Sequence, residues 1–197
     1  MKKCIFLDRD GTINKYKVLL HNKNDLELEE GAAEAIKQIN ESEYLCIVVT
    51  NQSIVARNIC TYEEAIAINE HLKKLLFDAN GSYLDAVYMC PHHPDRGYPE
   101  ENKKFKIECE CRKPKIGMVM EAQKEYNIDL NKSYLVGDTT IDIMTGKNAG
   151  LKTILLNTGL KGKDHNYDVE PDGYAENLCD AVELILKRGL TNGYKEK

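Results

Sequence analysis

Five short stretches of the chain are apolar at nearly every position. They are Cys4-Ile5-Phe6-Leu7, Tyr44 to Val49, Leu84 to Met89, Ser133 to Val136 and Thr153 to Leu156. A strand wetted on one side alternates apolar with polar residues, whereas a continuous run fits a strand covered on both faces. Between these runs the spacing turns helical. Helices are expected over Ala32 to Glu41 behind Gly31, from about Thr61 to Phe77, over Gly117 to Tyr126, and over Ile141 to Asn148. Thr61 and Glu64 form a capping-box pattern at the head of the second. A last amphipathic stretch runs from about Tyr174 to Lys187. Strand-helix alternation along the whole chain predicts a parallel α/β sheet with helices on both faces.

One domain over residues 1–190 accounts for this rhythm, with a tail, Thr191 to Lys197, expected to fray. Only Pro91 to Pro114 interrupts it. That segment is rich in Pro, His, Lys and Glu, and it is too long for an ordinary connection. Loops of such length are mostly functional or disordered.

Composition narrows the function classes. The net charge of −5 argues against binding nucleic acid by neutralising phosphates. It leaves room for a small anionic substrate, because local charge can oppose the global sign. No apolar run has membrane-spanning length, so no membrane association is expected. The basic start, Met1-Lys2-Lys3, is followed by an apolar stretch that stops at Asp8, too short for a secretion signal. A cytoplasmic monomer is therefore expected. The seven cysteines are an odd number, which does not suit a disulfide framework. Cys4, Cys46 and Cys179 lie in apolar stretches and read as small core residues.

Candidate chemistry sits where the strands end. In an open α/β sheet, ligands bind beyond the carboxyl ends of the strands. The first strand runs into Asp8-Arg9-Asp10-Gly11-Thr12, the second into Thr50-Asn51-Gln52-Ser53, and the fourth into Gly137-Asp138-Thr139-Thr140-Ile141-Asp142. An isolated aspartate in a loop is ordinarily a turn or cap residue. Three such segments delivered to one edge are a different matter. Convergent carboxylates make an oxygen-rich site for a hard cation such as magnesium. Thr50, Asn51, Arg112 and Lys113 offer donors for phosphoryl oxygens. A carboxylate in line with phosphorus can form an aspartyl-phosphate, and Asp10 is placed to exchange a proton with the leaving oxygen and then with water.

The irregular segment has its own pattern. Cys90-Pro91-His92 and Cys109-Glu110-Cys111 are two close pairs of soft ligands. Three thiolates and one imidazole complete a closed tetrahedral zinc site, which is structural rather than catalytic. His93 is an alternative to His92. Such a metal would fold the 90–114 loop and set Arg112 and Lys113 in place.

These motifs resemble the haloacid dehalogenase superfamily of phosphotransferases. The first is Phe6-Leu7-Asp8-Arg9-Asp10-Gly11-Thr12, the second Val49-Thr50-Asn51, the third Lys113, and the fourth Gly137-Asp138 with Asp142. The resemblance implies a sheet order of 3-2-1-4-5. The segments between the motifs, Asn14 to Gly31 and Ser53 to Tyr83, are too short for a large cap domain. The resemblance also implies Asp8 as nucleophile, Asp10 as acid/base, and Thr50 and Lys113 on the phosphoryl group. Magnesium would lie on Asp8, Asp10 (through its backbone carbonyl) and Asp138. Zinc would lie on Cys90, His92, Cys109 and Cys111. Arg9, Asn51, Gln52, Ser53, Arg57, Arg112 and Thr139 are the expected substrate contacts.

The cysteine loop narrows the resemblance to the zinc-containing subgroup of heptose bisphosphate and histidinol-phosphate phosphatases. The heptose side is favoured by Asp8 through Asn14, by Val48 to Ser53, and by Ala56-Arg57. Lys15-Tyr16-Lys17-Val18-Leu19, Ile54 and Thr139 depart from that pattern, and all fall around the substrate. The expected substrate is a small phosphorylated metabolite, foremost a sugar bisphosphate, with histidinol phosphate as the alternative. A catalytically silent zinc-stabilised interaction module is the alternative of another class.

Overall fold

The computed structural model describes residues 1–94 and 101–188. Six parallel strands form one sheet: β1 (Lys3–Leu7), β2 (Tyr44–Asn51), β3 (Ala86–Cys90), β4 (Tyr134–Gly137), β5 (Lys152–Leu156) and β6 (Gly173–Ala175). Their spatial order is β3-β2-β1-β4-β5-β6. The expected order of the first five strands is observed. The helices are α1 (Ala32–Asn40), α2 (Tyr62–Asn80), α3 (Gly117–Tyr126), α4 (Thr140–Ala149) and α5 (Leu178–Arg188). Among the described residues, no helix is long and apolar enough to cross a membrane. The expected tail, 191–197, and residues 95–100 of the loop lie outside the described residues.

The pleat explains the continuous apolar runs. Ile5 and Leu7 of β1 face one core, with Val48, Val136 and Ile154, under α1, α2 and α5. Cys4 and Phe6 face the other, with Ile47, Val49 and Leu135, under α3. Each of the inner strands therefore needs apolar side chains on both faces. Full burial of a side chain such as Phe6 contributes about 1.5–3 kcal/mol. The capping box at α2 is present: Thr61 Oγ1 accepts from Glu64 N at 3.1 Å, and Glu64 Oε2 accepts from Thr61 N at 2.7 Å.

The C-terminal expectation needs correction. Tyr174 does not start a helix; it lies in β6, and α5 begins at Leu178. The three-residue edge strand has no apolar run, and Tyr174 is largely exposed. Its place is fixed by backbone pairing with β5 and by Asp172, which periodicity does not register.

After β3 the chain crosses back over β2 and β1 to form β4. The order reverses there, so β1 and β4 are neighbours whose following turns diverge. That crevice is where an open α/β sheet takes its ligands.

Candidate active site

Asp8 follows β1 and Asp138 follows β4, so pairing of these two strands brings the carboxylates together. Asp142 joins them from the first turn of α4. Its Oδ2 accepts from Thr139 N at 3.1 Å and from Thr139 Oγ1 at 2.5 Å, a capping box that fixes its rotamer. Asp8, Asp138 and Asp142 each offer an oxygen within 4.8 Å of the others. Lys113 is almost fully buried among them, its Nζ 2.7 Å from Asp8 Oδ1 and 2.5 Å from Asp142 Oδ1.

The electrostatics follow from crowding. Burial, and then the neighbouring acids, push Asp138 up to about 8. Burial also raises Asp8 to about 6, against the pull of Lys113. For Lys113, burial works against the ammonium, but Asp142 and Asp8 outweigh it and hold the charge. Asp138 Oδ1 is buried and has no hydrogen-bond partner. An orphaned carboxylate oxygen among two further carboxylates is a donor set that suits a hard divalent cation.

Asp10 has a different setting. Arg9 Nη2 donates to both of its oxygens, at 3.0 and 2.8 Å, and Arg9 Nε to Oδ1 at 3.2 Å. Asn14 Nδ2 and Gln52 Nε2 add bonds of 2.9 and 2.8 Å. Burial opposes its charge, but the Arg9 guanidinium and these amides hold the carboxyl below its ordinary value.

A cavity of about 200 Å³ opens over these groups. Asp8, Asp10, Thr50, Asn51, Gln52, Ser53, Lys113, Asp138 and Thr139 line it, with Tyr16, Lys17 and Leu19 on the departing segment. Several expected substrate contacts also bond to neighbouring protein groups. Arg9 is fully buried behind Asp10, where its Nη1 donates to Asn69 Oδ1 at 2.9 Å. Gln52 bridges Asp10 and Thr50. Asn51 grips the Lys113 backbone, donating to its carbonyl at 3.1 Å and accepting from its N–H at 3.0 Å. Arg57 and Arg112 stand outside the cavity lining. Arg57 donates to Ser53 Oγ at 3.2 Å and lies 3.2 Å from His93 Nε2. Arg112 donates to the His92 carbonyl at 3.1 Å and borders a neighbouring cleft with Lys115, Asn166 and Tyr167.

The cysteine pairs do converge. Cys111 Sγ lies 3.2 Å from Cys90 Sγ, 3.3 Å from Cys109 Sγ and 3.3 Å from His92 Nδ1. Cys90 Sγ is 3.6 Å from Cys109 Sγ. Ligands on a tetrahedron with Zn–S bonds of about 2.3 Å would be about 3.7 Å apart. The four donors thus fit a closed metal site. His92 is the imidazole at this cluster, while His93 faces Arg57. The loop is docked as well: Phe105 stacks on Tyr62 at the head of α2, and Asn102 N donates to the Ala56 carbonyl at 3.0 Å.

Sequence reasoning placed Asp142 in a motif without giving it a ligand's place. Its signal was its spacing, N3 of a helix capped by Thr139 directly after Asp138. Asn69 had no signal beyond being a polar residue at a core position of α2.

Known proteins resemble this chain in sequence and in fold. A D-glycero-beta-D-manno-heptose-1,7-bisphosphate 7-phosphatase of Haemophilus ducreyi is 40% identical over 185 residues, covering 93% of this chain and 98% of the relative. The protein of the same name from Pasteurella multocida is 41% identical, covering 94% and 97%. The chain belongs to the D-glycero-D-manno-heptose-1,7-bisphosphate 7-phosphatase family. Like the rest of that family it is a phosphatase of the haloacid dehalogenase superfamily, and a family profile described as HAD-hydrolase-like matches residues 110–181. The crystal structure of D,D-heptose 1,7-bisphosphate phosphatase from B. bronchiseptica, complexed with magnesium and phosphate, superposes with a TM-score of 0.80. It is 29% identical and covers 94% of this chain and 98% of its own. Enzyme family membership displaces the silent-module alternative.

Proposed function

We propose that the protein hydrolyses the 7-phosphate of a heptose 1,7-bisphosphate through an aspartyl-phosphate on Asp8. The observation that carries this reading is the buried Asp8–Lys113–Asp142 arrangement beside Asp138 at the floor of the cavity. Asp8 attacks phosphorus with a carboxylate oxygen, and the bond from phosphorus to the sugar oxygen breaks. Asp10 delivers a proton to that oxygen. It then takes one from the water that attacks the phosphoryl-aspartate, releasing phosphate and restoring Asp8. The donors around Asp10 favour its ionised form, which this second step requires. Thr50 and Lys113 hold the phosphoryl oxygens, and Asp142 holds Lys113.

Asp8, Asp138 and the Asp10 backbone carbonyl would hold magnesium. Bound there, the ion supplies positive charge against the phosphoryl group as its own charge redistributes. Cys90, His92, Cys109 and Cys111 would hold a structural zinc. The metal would keep Lys113, two residues past Cys111, in register with Asn51. Arg9 and Gln52 orient Asp10 rather than contact substrate. Thr139, Ser53 and Lys17 face the sugar. The curated relatives lend weight to the heptose substrate and none to histidinol phosphate.

Specificity constants for heptose 1,7-bisphosphate, histidinol phosphate and an aryl phosphate, with magnesium, test this directly. The heptose ester should exceed both others. Asp8→Asn should lose about 10³-fold or more in kcat on each substrate. Equal constants for all three would defeat the substrate assignment, and an active Asp8→Asn the nucleophile.

A further inference from the structure

None of the residues lining the cavity lies beyond Asp142 in the chain. Even so, the turn that follows β5, residues 158–162, passes directly behind Asp138. Leu160 N donates to Asp138 Oδ2 at 2.7 Å, and Gly162 N donates to the Asp138 carbonyl at 2.8 Å. Thr158 Oγ1 donates to the Gly11 carbonyl at 2.6 Å. Farther along, Asp164 accepts from Thr140 N at 2.8 Å and from Thr140 Oγ1 at 2.6 Å, which ties the end of the turn to the head of α4.

Two glycines close the space around the carboxylate. Gly11 has φ +82° and Gly159 φ +52°, both in the left-handed region that other residues enter at a cost. A Cβ on Gly159 would lie 2.1 Å from Asp138 Oδ2 and 2.8 Å from Gly11 Cα. A Cβ on Gly11 would lie 2.4 Å from the same oxygen. The backbone of both glycines therefore approaches Asp138 Oδ2 more closely than any side chain would allow. One oxygen is committed to Leu160 N, and the other, Oδ1, is the buried atom without a partner.

We infer that the 158–162 turn is a positioning clamp for the metal site, with Thr158 and Gly159 as its working residues. It fixes Oδ2 so that Oδ1 is presented to the cation, and through the Gly11 carbonyl it holds the Asp10–Gly11 segment that supplies the backbone ligand. The inference rests on the reading of Asp138 as a magnesium ligand. Partners that orient metal ligands without touching the metal typically govern about 10–100-fold of its affinity. Such a turn leaves no motif of its own, since its bonds come from backbone N–H groups and its space from glycine.

The test is manganese binding to the full chain, followed by the paramagnetic resonance of the free ion, with the magnesium dependence of turnover alongside. Gly159→Ala should weaken Mn²⁺ binding toward about 100-fold, and Thr158→Val about tenfold. Thr158→Ser, which keeps the hydroxyl, should bind like the parent. In the valine variant kcat at saturating magnesium should recover, because the ligands themselves are intact. Should Gly159→Ala not fold, Thr158→Val decides, since it adds no atoms near Asp138. Parental Mn²⁺ affinity in folded Thr158→Val, or equal weakening in Thr158→Ser, overturns the clamp. Asp138→Asn separates the two levels. If it binds Mn²⁺ like the parent, the ligand assignment has failed; if it alone loses binding, only the clamp has.

Discussion

The carboxylate cluster and the cysteine cluster are both sets of donors close enough to hold a cation, yet they are built in opposite ways. Asp8, Asp138 and Asp142 come from the ends of two paired strands and a capped helix, and the sheet holds them together. Their crowding is unfavourable in itself, which is why burial and mutual repulsion raise Asp8 and Asp138. Cys90, His92, Cys109 and Cys111 come from the end of β3 and an irregular loop, which is docked on the domain through scattered contacts such as Phe105 on Tyr62 and Asn102 on Ala56. A rigid scaffold can tolerate mutual repulsion among its donors, whereas a loop depends on what its donors bind. Lys113 belongs to both regions. Its chain position is set by the cysteine loop and by Asn51, and its ammonium neutralises the carboxylates.

Breaking that shared residue should have the largest effect. In Lys113→Met, Asp8 and Asp142 lose their buried counter-charge, and removal of one partner from such a group costs about 3–5 kcal/mol. The melting temperature should drop by about 10 °C, at 2–4 °C per kcal/mol for a chain of this size. Millimolar magnesium should recover more stability in the variant than in the parent, because a bound cation now relieves the repulsion alone. Phosphatase activity should be lost with or without it. An unchanged melting curve would mean that Lys113 does not hold the carboxylates together.

Cys109→Ser tests the other cluster. Zinc content measured by metal analysis should fall from one equivalent to none, and kcat/KM should fall about 10–100-fold. The sheet should melt closer to the parent than Lys113→Met does, since Cys109 is only partly buried at the edge of one core and its loss strands no buried charge. Full zinc content with unchanged kinetics would refute the role given to Cys109 in holding the metal and the loop.

A finer comparison separates residues that touch substrate from those that orient the acid/base. Arg9→Lys keeps the charge but not the forked pair of bonds to Asp10. Because Arg9 has no exposed surface, kcat should fall about tenfold with KM nearly unchanged. A rise in KM at constant kcat would return Arg9 to the substrate.

The sequence made the two clusters legible to different degrees. Asp8 and Asp138 could be read because apolar runs mark the strands and ligands gather at their carboxyl ends, and Lys113 because it adjoins Arg112 and the cysteine pair. The cysteine pairs could be read because soft ligands at close spacing have few other uses. The tasks of Arg9, Gln52 and Asn51 could not. A polar residue beside a motif looks the same whether it faces the cavity or its neighbour's backbone, and only the tertiary fold decides. β6 was hidden because its three residues hold their place through a neighbour's side chain rather than through apolar periodicity.

That side chain provides the smallest prediction and a control on the first. Asp172 is an exposed carboxylate outside both clusters, surrounded by donors instead of rival acids. Its Oδ2 accepts from Thr153 N at 2.8 Å and Thr153 Oγ1 at 2.9 Å, and its Oδ1 from Lys147 Nζ at 2.6 Å. Burial works against its charge, but Lys147 and Thr153 outweigh it and hold the carboxyl below its ordinary value. The unfolded chain titrates near the ordinary value of about 3.9. Between that value and the lower folded one, the unfolded state binds more protons. The stabilisation is therefore fully present above about 3.9 and is lost as pH falls through the folded value. Asp172→Asn should cost about 1 kcal/mol in denaturant melts at neutral pH, with no change in metal content or kcat/KM. The gap between variant and parent should narrow as pH drops below about 3.9. A gap that stays constant into acid would mean that β6 is held by the shape of residue 172 and not by its charge.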